Sequence, residues 1–308
     1  MTRARLLVIG STNTDMVVRS PSIPTVGETV LGGDFHMFPG GKGANQAVAA
    51  ARAGAEVAFI TAIGNDQFGT ASLERFKAEE IGIQGVVTKP GVPSGIALIV
   101  VDDAGENVIV VAPGANAMLT SEDLLSFRPL FSNADMVVIQ LEIPIATVYR
   151  AVHLAKEAGC RILLNPAPMP PEGLHDDLLR DIDYLTPNET EVLQLAPEGK
   201  TAIEAAQRVL ARGPKAVIVT RGSRGVTVCT ADGVTEVPAH PVKAVDTVGA
   251  GDCFSASLGV ALAEKRDLRS AVQFAVVAAG LSTTIPGAQE GMPKHTDIEK
   301  ALHTADGL

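Results

Sequence analysis

No tryptophan occurs in this sequence, and aromatic residues of every kind make up only 4% of it. The core must therefore be aliphatic, and with 46% hydrophobic residues there is ample Val, Ile, Leu and Ala for a large one. Cysteine is scarce as well. Cys160, Cys229 and Cys253 stand far apart and no Cys-x-x-Cys pair exists, so free thiols in a reducing compartment are expected. Positive charge is in short supply: 25 Lys and Arg face 35 Asp and Glu, a formal net charge of -10. That balance argues against nucleic-acid or membrane-surface binding, both of which need clustered cations. Long apolar runs are missing too. None reaches the roughly 18 residues of a membrane span. The apolar run within residues 1–10 is too short for a secretion signal and lacks a small-residue cleavage site. A cytoplasmic protein is expected.

What the chain does have is glycine, 30 residues of it, and one stretch organises the rest. Residues 245–254 read Val-Asp-Thr-Val-Gly-Ala-Gly-Asp-Cys-Phe, with Asp246 and Asp252 on either side of Gly249 and Gly251. An apolar, proline-free run follows at 255–262. This reads as a glycine turn feeding a helix. The first N–H groups of a helix have no partner inside it, so such a start is an anion site, most often for phosphate. A carboxylate there would be repelled by phosphate, which suggests a task for Asp252, such as taking a proton from an attacking hydroxyl. Capping the helix is an equally good reading at this point.

Two further polar clusters sit where strands end. Residues 5–10 read as a buried strand, followed by Ser11-Thr12-Asn13-Thr14-Asp15. Pro39-Gly40-Gly41-Lys42-Gly43-Ala44-Asn45-Gln46 precedes an Ala-rich helix expected over 47–53. Lys42 is not part of a P-loop, because Gly43 stands where Ser or Thr is needed. The dinucleotide fingerprint fails as well, since Gln46 replaces its third glycine. Helices are expected over 66–82, with Asp66 as N-cap and Gly82 as stop, and over 145–158, 189–195, 201–212, 268–284 and 296–304. Strands are expected over 57–64, 135–142, 161–165, 183–186, 216–220 and 226–230. Strands alternating with helices imply an α/β fold with a mostly parallel central sheet covered on both faces. Residues 16–36 and 94–112 read as strand excursions that form a small separate sheet. Asn13, Asp15, Glu142, Asn188 and Asp252 fall at corresponding strand ends and face one crevice, where open α/β sheets bind ligands. Carboxylates and amides with no aromatic floor suit a polyhydroxylated substrate.

Four motifs make the sequence resemble, nearly end to end, the ribokinase-like family of carbohydrate kinases. They are Gly-Ser-Thr-Asn-Thr-Asp at 10–15, Gly-Gly-Lys-Gly-Ala-Asn-Gln at 40–46, Pro-Asn-Glu-Thr-Glu at 187–191 and Asp-Thr-Val-Gly-Ala-Gly-Asp at 246–252. The resemblance implies one ribokinase-like domain over residues 1–308, with a β-lid from about 16–36 and 94–112 that closes the site and pairs with a second subunit. It implies ATP-dependent phosphorylation of a sugar 5-hydroxyl, with D-ribose the leading substrate. A related kinase acting on deoxyribose, fructose, a nucleoside or a sugar acid, and a catalytically inactive sugar-binding regulator, are the alternatives. Asp252 would be the base, and the N–H groups of Gly249, Ala250 and Gly251 would form the anion hole. Asn13, Asp15, Gly41, Lys42, Asn45 and Glu142 would bind sugar hydroxyls. Asn188 would reach the ATP phosphates, Glu191 would organise Mg²⁺ through water, and Thr220, Gly222, Ser223 and Gly225 would pass over the nucleotide. A monovalent cation, usually K⁺, would bind Asp246 and the carbonyls of Val248, Ser282, Ile285 and Gly287. Two residues depart from the pattern. Val276 stands where His or Asn is usual near the adenine, and Gly291 where a Ser often lies near the cation. Cys253 is expected to be an inert apolar residue.

Overall fold

The computed structural model describes residues 3–305. In chain order its strands are β1 (Arg5–Ile9), β2 (Asn13–Arg19), β3 (Phe35–Gly40), β4 (Glu56–Gly64), β5 (Gly82–Lys89), β6 (Gly95–Val101), β7 (Asn107–Ala112), β8 (Met136–Ile139), β9 (Arg161–Leu164), β10 (Tyr184–Leu185), β11 (Ala216–Thr220), β12 (Val226–Thr230) and β13 (Gly233–Val237). Its α-helices are α1 (Lys42–Arg52), α2 (Gln67–Ala78), α3 (Ser121–Leu125), α4 (Arg128–Ser132), α5 (Ile145–Glu157), α6 (Asp176–Leu179), α7 (Glu189–Leu195), α8 (Ala202–Leu210), α9 (Ala250–Ala263), α10 (Leu268–Ser282) and α11 (His295–Ala305).

Nine strands form the main sheet in the order β13-β12-β11-β10-β9-β8-β1-β4-β5. All its pairs are parallel except β11 with β12 and β12 with β13. Alternation along the strands builds two apolar layers. In β1, Leu6 and Val8 enter one cluster with α1, α9 and α10, while Leu7 and Ile9 enter the other with α5, α7 and α8. All four are buried, and each such side chain contributes about 1.5–3 kcal/mol on burial. Helix α9 is apolar all round because it is covered all round, from Asp252 to Ala263. At its middle, a Cβ on Gly259 would come within 3.1 Å of Val138, so the missing side chain lets the helix lie close on the sheet. From β1 the chain goes to β4 on one side and later to β8 on the other. That reversal is a topological switch point, the place where open α/β sheets bind their ligands.

The second sheet has four strands in the order β3-β2-β6-β7. It draws on the expected segments with shifted bounds. Strand β2 starts at Asn13, so Asn13 and Asp15 belong to a strand, not to a loop, and residues 20–34 contain no strand. Two other expectations are corrected. Helix α1 begins at Lys42, because Gly41 at φ 88° turns the chain straight from β3 into the helix. Helix α2 does begin after Asp66, whose side chain accepts from Gly69 N–H. It ends at Ala78 because Glu80 takes φ 57°, and Gly82 opens the unforeseen strand β5. Strand β13 was also unforeseen: it is exposed except at Val237, so no apolar alternation marks it.

Candidate active site

The head of α9 is the centre of the site. Gly249 precedes it at φ 77°, a left-handed conformation that glycine alone takes without strain. Ala250 and Gly251 then open the helix: Gly251 N–H has no helical acceptor, and Ala250 N–H reaches only back to the Thr247 carbonyl, at 3.3 Å. A Cβ on Gly251 would meet nothing within 4 Å, so the backbone there borders open space. Asp252 lies in the first turn with 6% of its surface exposed. It does not serve as the cap: the helix has no side-chain cap hydrogen bond. Its Oδ2 instead accepts from Asn45 Nδ2 at 2.9 Å and its Oδ1 from Gln46 Nε2 at 3.0 Å. Burial raises its carboxyl above the usual range, while Lys42, Asn45 and Gln46 pull the other way.

The first turn of α1 supplies those partners. A Cβ on Gly41 would lie 2.7 Å from Asn13 N, so the chain passes directly against residues 12–13 and joins the two polar clusters. Lys42 stands among Asp252, Glu142, Glu191 and Asp15, whose charges, Asp252 foremost, hold its ammonium above the ordinary lysine range against the cost of burial. Glu142, beyond β8, accepts from Ser11 Oγ at 2.5 Å and from Lys42 N at 2.9 Å. Asp15 on β2 is raised to about 6 by burial, with Glu142 and Asp252 adding to the shift. Asn13 accepts from Asn116 Nδ2 at 2.8 Å. The expected sugar-side residues thus converge on Asp252 from β2, α1 and the end of β8.

The nucleotide-side residues lie at neighbouring strand ends. Asn188 caps α7 in a reciprocal pair with Glu191: Asn188 Oδ1 accepts from Glu191 N, and Glu191 Oε2 accepts from Asn188 N, both at 2.8 Å. Burial raises the Glu191 carboxyl, and Lys42 and Asp252 both act on it. Asn188 bridges Thr220, and a tight turn at 222–224 leads to Gly225 at φ 83°. Val276 differs: it sits on α10 in the core with 8% exposed. Cys253 is buried and its thiol is pushed up to about 12 by burial, which fits an inert residue.

The expected cation residues come together at the turn after α10. Asp246 accepts from Val248 N at 3.0 Å and from Gly287 N at 2.9 Å. The carbonyl oxygens of Ser282 and Ile285 both lie against the Cβ position of Gly291. Converging carbonyls beside a carboxylate are hard oxygen donors, which suit an alkali cation. Among the described residues no group of three or more His, Cys, Asp or Glu could hold a metal ion.

Sequence reasoning gave no role to Gln46, Asn116 or Gln289. Asn116 pins residue 12 by both backbone groups, at 2.8 and 3.0 Å. Its only signal was a lone polar residue in the apolar stretch 108–119. Gln289 donates to Asn45 Oδ1 at 3.1 Å and accepts from Arg75 Nε at 2.8 Å. Nothing local marks it, since both partners lie more than 200 residues away.

The model of the pfkB family carbohydrate kinases matches residues 3–295. A ribokinase of Bacillus subtilis is 43% identical over 297 residues, covering 96% of this chain and 99% of the relative. Among solved structures, a ribokinase of Thermotoga maritima superposes with a TM-score of 0.89 at 35% identity, over 98% of this chain and 100% of its own. A ribokinase of Arabidopsis thaliana, solved with ribose and ATP, also gives a TM-score of 0.89, at 29% identity over 98% of this chain and 99% of its own. With the family model spanning nearly the whole length and the relatives matching end to end, the chain belongs to the pfkB family of carbohydrate kinases.

Proposed function

We infer that the chain is an ATP-dependent sugar kinase that phosphorylates the 5-hydroxyl of D-ribose to give D-ribose 5-phosphate. The observation that carries this reading is Asp252, buried at the head of α9 beside the open backbone of Gly251 and bonded to α1 rather than to its own helix. A carboxylate accepts about four hydrogen bonds, so Asp252 retains capacity for a sugar hydroxyl. It takes the 5-hydroxyl proton as that oxygen attacks the terminal phosphoryl group. The N–H groups of Gly249, Ala250 and Gly251 hold the charge that builds on the moving group. Asn13, Asp15, Gly41, Lys42, Asn45 and Glu142 bind and orient the sugar, and ribokinase relatives over the full length support ribose as that sugar. Asn188, Thr220, Gly222, Ser223 and Gly225 hold the nucleotide, and Val276 backs that side from the core. Glu191 would help to hold the Mg²⁺ that accompanies ATP, and the ion would offset phosphate charge.

Two finer readings belong with this one. Asp246 and the carbonyls of Val248, Ser282, Ile285 and Gly287 would hold a monovalent cation, K⁺ by preference. Gly291 supplies no side-chain ligand there. The small sheet is a lid whose outer face pairs with a second subunit, and the enzyme works in the cytoplasm. The substrate is tested by coupled ADP release over a panel of sugars and nucleosides. D-ribose is expected to give the highest kcat/KM, because a site built to bond a hydroxyl rejects the analogue that lacks it. A tenfold or larger preference for 2-deoxyribose or fructose would reassign the substrate. Asp252→Asn should keep ATP binding and lose about 10²–10⁴-fold in kcat. Retention within about threefold, under ~0.7 kcal/mol of barrier, would remove Asp252 as the base.

A further inference from the structure

Gln46 is fully buried, and its side chain joins four elements. Its Nε2 donates to Asp252 Oδ1 at 3.0 Å and to Asn165 Oδ1 at 3.2 Å. Its Oε1 accepts from Gln140 Nε2 at 2.5 Å. Asn165, just past β9, in turn donates through Nδ2 to the carbonyl of Thr186 at 2.9 Å. This chain of amides has only one consistent direction. The Thr186 carbonyl can only accept, so Asn165 turns its NH₂ toward it and its oxygen toward Gln46. Gln46 must then present its own NH₂, and the second hydrogen of that group goes to Asp252. Gln140 closes the far end by donating to the Gln46 oxygen. A reversed Gln46 would set its oxygen against a carboxylate and an amide oxygen, leaving acceptors unpaired where no water reaches.

The surroundings are shaped to keep this arrangement. A side chain on Gly10 would overlap the Gln140 amide, so glycine there makes its room. The Gln140 oxygen has no hydrogen-bond partner among the described residues. Asn45, which donates to the other Asp252 oxygen, is also expected to meet the sugar. Gln46 has no exposure, so its hydrogen bond to Asp252 is not shared with a substrate.

We propose that Gln46 is a positioning residue for the base: its orientation-locked amide holds the Asp252 carboxylate in one rotamer and in the ionised form. This rests on the reading of Asp252 as the base. The other groups that act on Asp252 are Lys42 from α1, Glu142 beyond β8, Glu191 on α7 and Asp15 on β2. Lys42 favours the ionised form and the three carboxylates oppose it. Burial opposes ionisation most of all, and the donors from Asn45 and Gln46 work with Lys42 against it without adding a charge to the site.

The test is the pH profile of kcat at saturating ribose and ATP, for the unaltered enzyme and for Gln46→Met, Gln46→Glu, Gln140→Leu and Asp252→Asn. Ionisation of ATP is common to all of them and drops out of the comparison. Gln46→Met removes the donor at nearly constant volume. Its acid limb should move up by about one to two pH units, the worth of a hydrogen bond to a charged group, with kcat recovering on the alkaline side and KM for ribose within about threefold. Gln46→Glu sets carboxylate against carboxylate and should move the limb further. Gln140→Leu touches only the lock and should move it less, in the same direction. A limb that stays in place in the folded variants, with kcat lowered uniformly across pH, would reduce Gln46 to a packing residue. Where Gln46→Met fails to fold by circular dichroism, Gln46→Glu and Gln140→Leu decide the question on the same criterion. Asp252→Asn separates the two levels: near-normal kcat in that variant removes the base itself, whereas its inactivity with unmoved limbs elsewhere removes only the role of Gln46.

Discussion

Asp15 and Gly251 show how single residues set the behaviour of the site. Asp15 is raised from the model-peptide value of 3.8 to about 6, first by burial and then by its like-charged neighbours. In the proposed site Asp15 accepts from a sugar hydroxyl, which needs it ionised. The kcat/KM for ribose should therefore fall about tenfold per unit as pH drops below about 6, and Asp15→Asn should remove that inflection. A flat kcat/KM between pH 7 and 5 would exclude the assignment. The same shift acts on stability with the opposite sense. The folded state binds this proton more tightly than the unfolded chain, so its contribution is fully present below about pH 4 and is lost as pH rises through about 6. Gly251 separates function from folding even more sharply. An added methyl meets no protein atom within 4 Å, and alanine favours helix over glycine. Gly251→Ala should leave the thermal midpoint unchanged or slightly higher, yet lower kcat by on the order of 10²-fold by displacing the phosphate. Unimpaired turnover would show that nothing approaches the head of α9.

At the scale of elements, α1 is the joint of the molecule. Its first turn carries Lys42, Asn45 and Gln46, and its last residue, Arg52, holds the distant loop that carries Gln289. Arg52 donates to the carbonyls of Gln289 at 2.7 Å and Met292 at 3.0 Å and pairs with Glu79 at 2.6 Å, with about a fifth of its side chain exposed. Removing one partner of a mostly buried pair leaves the other charge uncompensated. Arg52→Met should cost on the order of 3 kcal/mol, read as a lower urea midpoint with unchanged slope. A loss under about 1 kcal/mol would rank the cluster with ordinary surface pairs.

For the whole molecule, the small sheet carries exposed apolar residues on both faces, Ile109 and Val111 on the face of Asp15 among them. Asp15 marks the face toward the site. On the opposite face, Met37, Met16, Leu98 and Val110 lie side by side across all four strands, as their pairing shows. Phe35, Val18, Val100 and Val108 form the next row. Phe35, Met37, Leu98, Val108 and Val110 are each between 46% and 60% exposed. An apolar face of this kind, continuous over four strands, marks an interaction surface, and a second copy of the same face would cover it. Light scattering at micromolar concentration should give a dimer, and Leu98→Glu should give a monomer. A monomer without the substitution would refute the pairing and leave the chemistry intact.

The sequence by itself determined the fold class, because alternating and helical periodicities are local properties of a chain. The four motifs likewise marked most of the candidate site, because strand ends and helix starts are written in adjacent residues. The start of α1 escaped because the φ of Gly41 is not in the pattern. Strand β5 escaped because its glycines look like stops, although here they fit against the backbone of β4. The tertiary structure alone decided what Asp252 does with its oxygens. Capping and catalysis were equally legible in residues 246–252, and what drew the oxygens away from the cap was Asn45 and Gln46, more than 200 positions away. The orientation of Gln46 was decided further off still, by the Thr186 carbonyl acting through Asn165. A buried hydrogen bond is made between groups that only folding brings together, and its direction is fixed by whichever partner can only accept.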